Sequence, residues 1–593
     1  MSALGEASGY VVPPRFWAWL GTRRTIGVML WIAAFCAAGY FLWHGLVWLE
    51  DARDAPPERR RADGDAGHVQ IDFGGQWVMG RMLVKGHGRE LYHRQRQWEV
   101  VRAGFPNSDE TPLHLMESHT PAAFRLFALP DEDLGHDDNH LMSWFMGHDP
   151  PEWRTVGSAA VVGLGQHPFL TAAAITAADN SLTPEVVEAV TKPAIGGPLY
   201  PPIHAFIYAP LGAIDRPQLA YQVFQVFATA LVFVAAYGVV MLSGGRIRWS
   251  VAVLVLFLFP GTRGGIDLGQ NPTLTFTIVI WGWVLASRGY NTAGGVVWGL
   301  FAFKPVWGLA FFLVPLLMRR WRFCAAMVLT GATLAALTLP FVGFQSWLDW
   351  LEVGKEAAAI YKVNNNWIHL SRDLHGIPRR ILHDFSLGEN VRDTPLANYL
   401  GWALWGTVFA LTTTIYLRCG NVKRPTGVGV AFLFFGAYLT CYRFMFYDVL
   451  MIGMGCAVLF ADPGSFLRTR VFELSLASQT PPLPGVRTLT APPTTRRFLG
   501  PRLLGYASSF PLTLLVMLIV YENTISGLGI HVTMNCGYLG GVVTGADGAT
   551  QRSTPRMEFD TGTNYPWETF MAIALWAWCG WRVLRGADHK LEE

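Results

Sequence analysis

The chain has 593 residues, of which 51% are hydrophobic and 15% are charged, and its formal net charge is +3. With a mean hydropathy of +0.28, this composition excludes an ordinary soluble protein and fits a membrane protein with many spans. The sequence has no basic block suited to nucleic acid, so no nucleic-acid partner is expected. The seven cysteines are scattered and odd in number, without metal-ligand spacing, so we expect no disulfide framework.

Twelve apolar segments are candidates to cross a bilayer, which takes about 20 helical residues. In chain order they are residues 25–48, 218–243, 249–260, 272–287, 290–303, 306–318, 322–342, 396–418, 426–441, 446–461, 504–522 and 567–584. The first is long and lacks a convincing cleavage site, so it predicts a retained anchor rather than a signal peptide. We therefore predict an all-α polytopic membrane protein with about twelve transmembrane helices, with eleven or thirteen crossings as alternatives.

The basic residues between these segments test the count, because cytoplasmic loops carry an excess of Lys and Arg. If the N-terminus is cytoplasmic and the crossings alternate, seven basic clusters next to these segments fall on the cytoplasmic side. These clusters are Arg15, Arg23 and Arg24; Arg246 and Arg248; Arg288; Arg319, Arg320 and Arg322; Arg418, Lys423 and Arg424; the arginines of 461–503; and Arg582 and Arg585. The pattern predicts a multi-pass protein of the plasma or inner membrane.

The same topology divides the chain into four parts. Residues 1–24 form a cytoplasmic tail, and residues 25–460 form a membrane body whose first outer loop spans 49–217. Residues 461–503 are rich in Pro and Arg and predict a flexible cytoplasmic linker. Residues 504–593 predict a terminal pair of transmembrane helices, with an outer loop at 523–566.

The first outer loop is too long for a simple connection and is expected to contain helices and functional residues. Its moderately apolar segment 156–176 predicts an interfacial or re-entrant helix, because a span there would invert every later loop. The His and Asp residues of 136–149 invite a metal interpretation, but their spacing matches no ligand template. We therefore predict no metal site, and a divalent cation is left open as a cofactor.

Unusual polar residues collect at the predicted outer surface. They are Asp72, Gln270, Asn271, Lys304, Asn366, Arg443 and Asp448. Charge near hydrocarbon costs free energy and often marks a functional site. Two of these residues also have a purely structural interpretation. Asp72 fits a solvated acid in a loop, and Lys304 fits a side chain whose ammonium group reaches to the membrane interface.

The remaining outer polar residues also have alternatives. Gln270 and Asn271 fit the cap of a helix that starts at Pro272. Arg443 and Asp448 fit a pair that binds only each other.

Five stretches of the chain resemble, in matching order, the sequence patterns of one family. They are IDFGGQWVMGRMLVKGHGRELY (71–92), GPLYPPIHAFIYAPLG (197–212), LGQNPTLTFTIVIWGWVLASRG (268–289), GGVVWGLFAFKPVWGLAFFLVPLLMRRWR (294–322) and NNNWIHLSRDL (364–374). The chain resembles glycosyltransferase family 87, within the C superfamily of polyprenyl-phosphate-dependent membrane glycosyltransferases. The resemblance covers about residues 70 to 460. The family's usual Asn-Gln-Ser core is altered in the last stretch, and the 105–195 insertion and the region after 460 fit the family poorly.

The resemblance implies transfer of one sugar, of mannose or arabinofuranose type, from a polyprenyl-phosphate donor to a glycan or lipid-linked acceptor. In such enzymes an acid in the first outer loop acts on a donor dissolved in the membrane lipids, which makes Asp72 the general base here. Lys304 and Arg443 become candidates to hold the departing phosphate. The other candidate donor contacts are Gln270, Asn271, Asn366 and Asp448, with Tyr200 as part of a rigid wall.

Three other functions remain open at this point. A twelve-span secondary transporter would suit broken helices, although transporters place their polar residues near the middle of the membrane. A glycan ligase would use a diphosphate carrier and move a whole glycan. A non-catalytic member of the fold would only bind a lipid-linked sugar.

Overall fold

The computed structural model describes residues 24–54, 72–93, 199–362, 365–383, 394–463, 501–520 and 566–586, with residues 96–97, 100 and 465 and four strands between 531 and 560. The predicted features at 136–149 and 156–176, the 105–195 insertion and nearly all of the 461–503 linker lie outside these residues.

Helices form nearly all of the described chain up to residue 342. They are α1 (Arg24–Asp54), α2 (Asp72–Val84), α3 (Ile203–Gly212), α4 (Pro217–Leu242), α5 (Trp249–Leu258), α6 (Thr262–Asp267), α7 (Pro272–Ser287), α8 (Asn291–Gly299), α9 (Pro305–Leu317) and α10 (Trp321–Val342). Short 3-10 turns at Gly88–Glu90 and Leu300–Phe303 follow α2 and α8.

The second half continues the helical pattern. Its helices are α11 (Gln345–Ile360), α12 (Asn365–Leu370), α13 (Gly376–Leu382), α14 (Pro395–Cys419), α15 (Val428–Leu439), α16 (Ile452–Ala461), α17 (Pro501–Val520) and α18 (Trp567–Leu584). A 3-10 helix at Phe446–Met451 leads directly into α16. Several helices start at a proline, which has no N–H to lose at the first helical position.

Helix length and composition support a membrane protein. Among the described residues, four helices are long and apolar enough to cross a bilayer: Ile26–Trp43, Leu219–Leu242, Trp321–Val342 and Pro395–Cys419. Seven shorter apolar helices accompany them in the same part of the chain. The helical membrane fold is confirmed, while the count of twelve crossings and the C-superfamily architecture stay predictions.

Four short strands lie in the 523–566 segment, where an all-α fold has none. They are β1 (His531–Asn535), β2 (Val542–Thr544), β3 (Thr550–Arg552) and β4 (Arg556–Asp560). β1 pairs antiparallel with β4, and β2 pairs antiparallel with β3. The all-α prediction therefore holds for the apolar body only, because strands of three to five residues give little hydrophobic periodicity to detect.

Helix α2 crosses α3 at two glycines. A Cβ atom on Gly80 would lie 2.3 Å from the carbonyl oxygen of Tyr208, and a Cβ atom on Gly212 would lie 2.3 Å from the backbone nitrogen of Arg81. Only glycine permits backbones to approach this closely. The crossing fixes α2, and therefore the position of Asp72 at its start, against the rest of the body.

The core lies among α7, α8, α9, α10 and α15, where large aromatic side chains pack together. Trp283 and Trp298 stack with their ring centroids 5.8 Å apart, and Phe434 meets Trp283 edge-on at 5.1 Å. These side chains are almost completely buried. Rings packed in this way bury large apolar areas and hold the helix ends in fixed positions.

The last helix, α18, packs against this body through α14 and α15. Trp576 stacks on Phe432 with ring centroids 5.7 Å apart, and its indole nitrogen donates to the hydroxyl of Thr412 at 2.9 Å. Helix α18 is therefore part of the same packed structure as the earlier helices, although a long segment precedes it in sequence.

Candidate active site

Lys304 lies at the break between the 3-10 turn Leu300–Phe303 and α9, with Pro305 as the first helical residue. Its ammonium group is buried: the residue is 8% exposed, so the lysine does not reach to the interface as one sequence interpretation allowed. The Nζ atom donates to Asp448 Oδ1 at 2.7 Å and to Asn271 Oδ1 at 3.1 Å. The lysine thus joins the starts of α7 and α9 to the 3-10 helix before α16.

Asn271 precedes the first residue of α7 but its side chain does not cap that helix. The amide oxygen accepts from Lys304, and Nδ2 donates to Gln76 Oε1 at 3.1 Å. The residue is fully buried. The capping interpretation is therefore wrong for this side chain, since both ends of its amide bind other parts of the chain.

Gln76 connects this group to helix α2. Its Nε2 atom donates to the carbonyl oxygen of Gly269 at 2.8 Å, and its side chain is fully buried. Gly269 has a φ of +65°, and a Cβ atom there would lie 2.7 Å from the Cβ of Phe73, so glycine is required. Helix α2 is consequently held against the Gly-Gln-Asn turn by its first helical turn.

Asp72 is the first residue of α2, and its side chain lies outside the described part of the structure. Its backbone is one helical turn, or about 6 Å, from that of Gln76. The backbone position therefore brings Asp72 close to the Gly-Gln-Asn turn.

The side chain of Gln270 binds a different part of the chain from the side chain of Asn271. Its Oε1 atom accepts a hydrogen bond of 2.7 Å from the hydroxyl of Tyr200. The Tyr200 ring stacks on His204, with ring centroids 3.9 Å apart, and His204 stacks in turn on Tyr208 at 4.5 Å. This column of rings makes the Tyr200 wall rigid and ties it to α3.

Asp448 is buried and pairs with Lys304, not with Arg443, so the interpretation of these two residues as a pair is wrong. Arg443 has a left-handed backbone with φ of 56°, which is rare for a residue other than glycine. Its guanidinium lies over the rings of Tyr442 and Tyr361, 4.5 and 5.5 Å from their centroids. The Lys304 ammonium and the Arg443 guanidinium therefore lie in different environments and contact different residues.

Basic residues surround the segment next to Arg443. Burial lowers the pKa of His375 to about 4; Asp373 opposes this effect, while Arg379 and Arg443 add to it. Burial, reinforced by the charge of Arg372, lowers the pKa of Arg380 to about 9, against the opposing effects of Asp373 and Glu568. His375 is consequently neutral near pH 7, and the positive charge here belongs to the arginines.

The structure thus brings together three of the predicted site residues directly, namely Asn271, Lys304 and Asp448, and links Gln270 to Tyr200 beside them. Of Asn366 only the backbone is described, at the start of α12. Sequence reasoning missed Gln76, although it lies four residues after Asp72 on one helix face. It also missed Glu568, whose carboxylate in the first turn of an apolar helix was a usable signal.

Among the described residues, no group of three or more His, Cys, Asp or Glu side chains could hold a metal ion. The His and Asp residues of 136–149 lie outside those residues.

Comparison with known proteins gives one match. Residues 199–446 match the family model described as Glycosyltransferase family 87. No curated protein and no solved structure matches the chain. The matched region contains Tyr200, Gln270, Asn271, Lys304 and Arg443. Residues 199–446 are therefore similar to glycosyltransferase family 87, which indicates a glycosyltransferase.

Proposed function

We propose that this glycosyltransferase transfers a single sugar, of mannose or arabinofuranose type, from a polyprenyl-phosphate donor to a glycan or lipid-linked acceptor at the outer face of the membrane. Asp72 is the general base. The observation that carries the proposal is the buried hydrogen-bonded chain from Gln76 through Asn271 and Lys304 to Asp448. This chain of contacts starts one turn from Asp72 and contains the buried cation Lys304, which is paired with Asp448 at its far end.

The reaction requires two charge movements. The base removes the proton of the acceptor hydroxyl, whose oxygen then bonds to the anomeric carbon as the bond between that carbon and the phosphate oxygen breaks. The departing phosphate takes the bonding electrons. The Asp72 carboxylate removes the proton of the acceptor hydroxyl. For the displacement of the phosphate, a single step with inversion at the anomeric carbon is the simpler expectation.

Lys304 is suited to the departing phosphate. An ammonium group has three protons to donate, and Asn271 and Asp448 accept two of them. The third is the one assigned to a phosphate oxygen, in place of the Tyr447 ring, whose centroid lies 5.6 Å from Nζ. The starts of α7 and α9 meet at this lysine, and helix N-termini add positive potential. Preorganised donors of this kind stabilise charge that develops in the transition state. Arg443 is the second candidate for the phosphate.

Sugar recognition is assigned to the Gln270 side of the network. Tyr200 and Gln270 present a hydroxyl and an amide beside the cation, and Pro201 and Pro202 stiffen the wall behind them. Asn366 stays a candidate on the basis of its position in the altered Asn-rich segment.

The proposed sidedness has a direct test. Lys355 is exposed on α11, and Lys423 is exposed between α14 and α15. We expect Lys355→Cys to react with an impermeant thiol reagent on intact cells, and Lys423→Cys to react only after permeabilisation, both in a background in which all seven native cysteines are replaced. The reverse pattern would overturn the predicted orientation.

The donor is tested by a screen of the purified protein in lipid nanodiscs. Mannosyl, arabinofuranosyl and glucosyl polyprenyl phosphates are supplied, with and without a chelator, and a polyprenyl-diphosphate glycan is the comparison. We expect transfer from one monophosphate donor and none from the diphosphate. Use of the diphosphate alone would favour the glycan ligase instead, and loss of activity with the chelator would establish a divalent cation.

A further inference from the structure

The start of the last helix contacts the candidate site through a buried ion pair. Arg372 Nε donates to Glu568 Oε2 at 3.0 Å, with side-chain exposures of 0% and 3%. Thr569, the next residue of α18, donates its hydroxyl to the carbonyl oxygen of Arg372 at 2.7 Å. Helix α18 therefore binds both the side chain and the backbone of Arg372.

Arg372 in turn binds the segment that contains Arg443. Its backbone N–H donates to the carbonyl oxygen of Phe444 at 3.0 Å, and Ser371 forms an isolated antiparallel bridge with Met445. Phe444 and Met445 directly follow the left-handed Arg443, and Met445 lies three residues before Asp448. The positions of Arg443 and Asp448 therefore depend on Arg372.

The rest of the Arg372 side chain closes its own turn. The Nη1 atom donates to the carbonyl oxygens of His369 and Ser371, both at 3.0 Å. The Asp373 carboxylate accepts from the N–H of Gly376 at 2.7 Å and shapes the next turn. The segment is thus fixed by polar contacts at several points, with Glu568 supplying the charge that compensates the guanidinium.

A buried ion pair adds little stability compared with apolar side chains of the same size, so its value lies in fixing one arrangement. The strained backbone of Arg443 needs such a fixed neighbour, because a left-handed residue persists only where its surroundings hold it. The family match ends at residue 446 and does not include α18. The pair therefore joins the matched region to a helix beyond it.

We propose that Glu568 and Thr569 are positioning residues for the proposed transfer reaction, which act through Arg372 to hold the Tyr442–Asp448 segment. The last helix thereby completes the site that the matched region begins. This inference rests on the proposed function in so far as Arg443, and Lys304 through its pair with Asp448, serve the leaving phosphate, whereas the positioning itself can be measured without any substrate.

The test uses the full-length protein in nanodiscs with Glu568→Gln and Thr569→Val, each close to the native side chain in shape. Trp576→Phe is the matched control, because it removes one buried hydrogen bond from the same helix but none to Arg372. Hydrogen exchange and steady-state transfer are measured for each. We expect faster exchange at 371–376 and 443–447 in the first two variants, with α15 unchanged.

We also expect kcat per folded molecule to fall about tenfold in these two variants while KM changes less than about twofold, because the affected segment acts on charge that develops in the transition state. A purely structural role would lower the folded fraction and leave kcat per folded molecule unchanged. If Glu568→Gln does not fold, Thr569→Val, which keeps the ion pair, provides the test.

Native exchange at 371–376 and 443–447 in both variants, or equal changes in Trp576→Phe, would overturn the proposal. Altered exchange in a protein that uses no sugar donor would support the positioning and count against the proposed function.

Discussion

Asp72→Asn is expected to reduce sugar transfer by at least about 100-fold, because general base catalysis contributes about 100-fold to 10,000-fold. An amide cannot accept the proton of the acceptor hydroxyl, yet it has nearly the same size as the carboxylate. Asp72 is the first residue of α2, whose packing depends on the glycine crossing and on Gln76. We therefore expect normal expression, thermal stability and donor binding, measured together with the transfer rate.

Asp215→Asn is the control for that result. Its carboxylate is 80% exposed, pairs with Arg81, and lies in the turn after α3, close to the same helix. The substitution makes the same chemical change outside the site, and transfer should stay within about twofold of the native rate because exposed ion pairs contribute little. Native activity in Asp72→Asn would remove this residue from the mechanism.

Lys304→Gln is expected to have the second large effect, on stability and on transfer together. The substitution leaves the Asp448 carboxylate buried without its cation, and breaking such a pair costs about 3–5 kcal/mol. It also removes the donor assigned to the leaving phosphate, and loss of one donor of that kind costs about 100-fold or more in rate. Thermal unfolding and transfer per folded molecule measure the two effects separately.

The double variant Lys304→Gln with Asp448→Asn distinguishes a structural from a catalytic lysine. The two amides can hydrogen-bond to each other and leave no buried charge, so most of the lost stability should return. Transfer should stay low, because the cation is still absent. Recovery of the native transfer rate in the double variant would show that the pair serves the fold alone.

The helices of the body were largely predictable because long apolar runs and proline starts define them locally. The segment 272–287 coincides with α7, and 446–461 coincides with the 3-10 helix and α16 taken together. Helix α3 was not predicted as a separate element, because ten residues are too few to cross a bilayer. Its position depends on the Gly80–Gly212 crossing, a tertiary contact that no local pattern reveals.

Membrane sidedness predicted that the candidate residues approach one surface, but it could not choose their partners. The cation nearest to Asp448 in sequence is Arg443, yet the carboxylate binds Lys304, 144 positions away. The left-handed backbone at Arg443 and the packing of the helix starts decide that choice. Asn271 likewise fitted a helix cap from its place before Pro272, and only the folded chain shows its amide between Gln76 and Lys304.

The central claim is that one sugar leaves a polyprenyl monophosphate on this protein, and analysis of the lipid co-product tests it most directly. Purified native protein is incubated in nanodiscs with its donor and acceptor, and both products are identified by mass spectrometry. We predict one free polyprenyl phosphate for each sugar added to the acceptor, and neither product with Asp72→Asn. Release of a polyprenyl diphosphate, addition of a whole glycan, or movement of intact donor across the membrane without bond cleavage would contradict the claim.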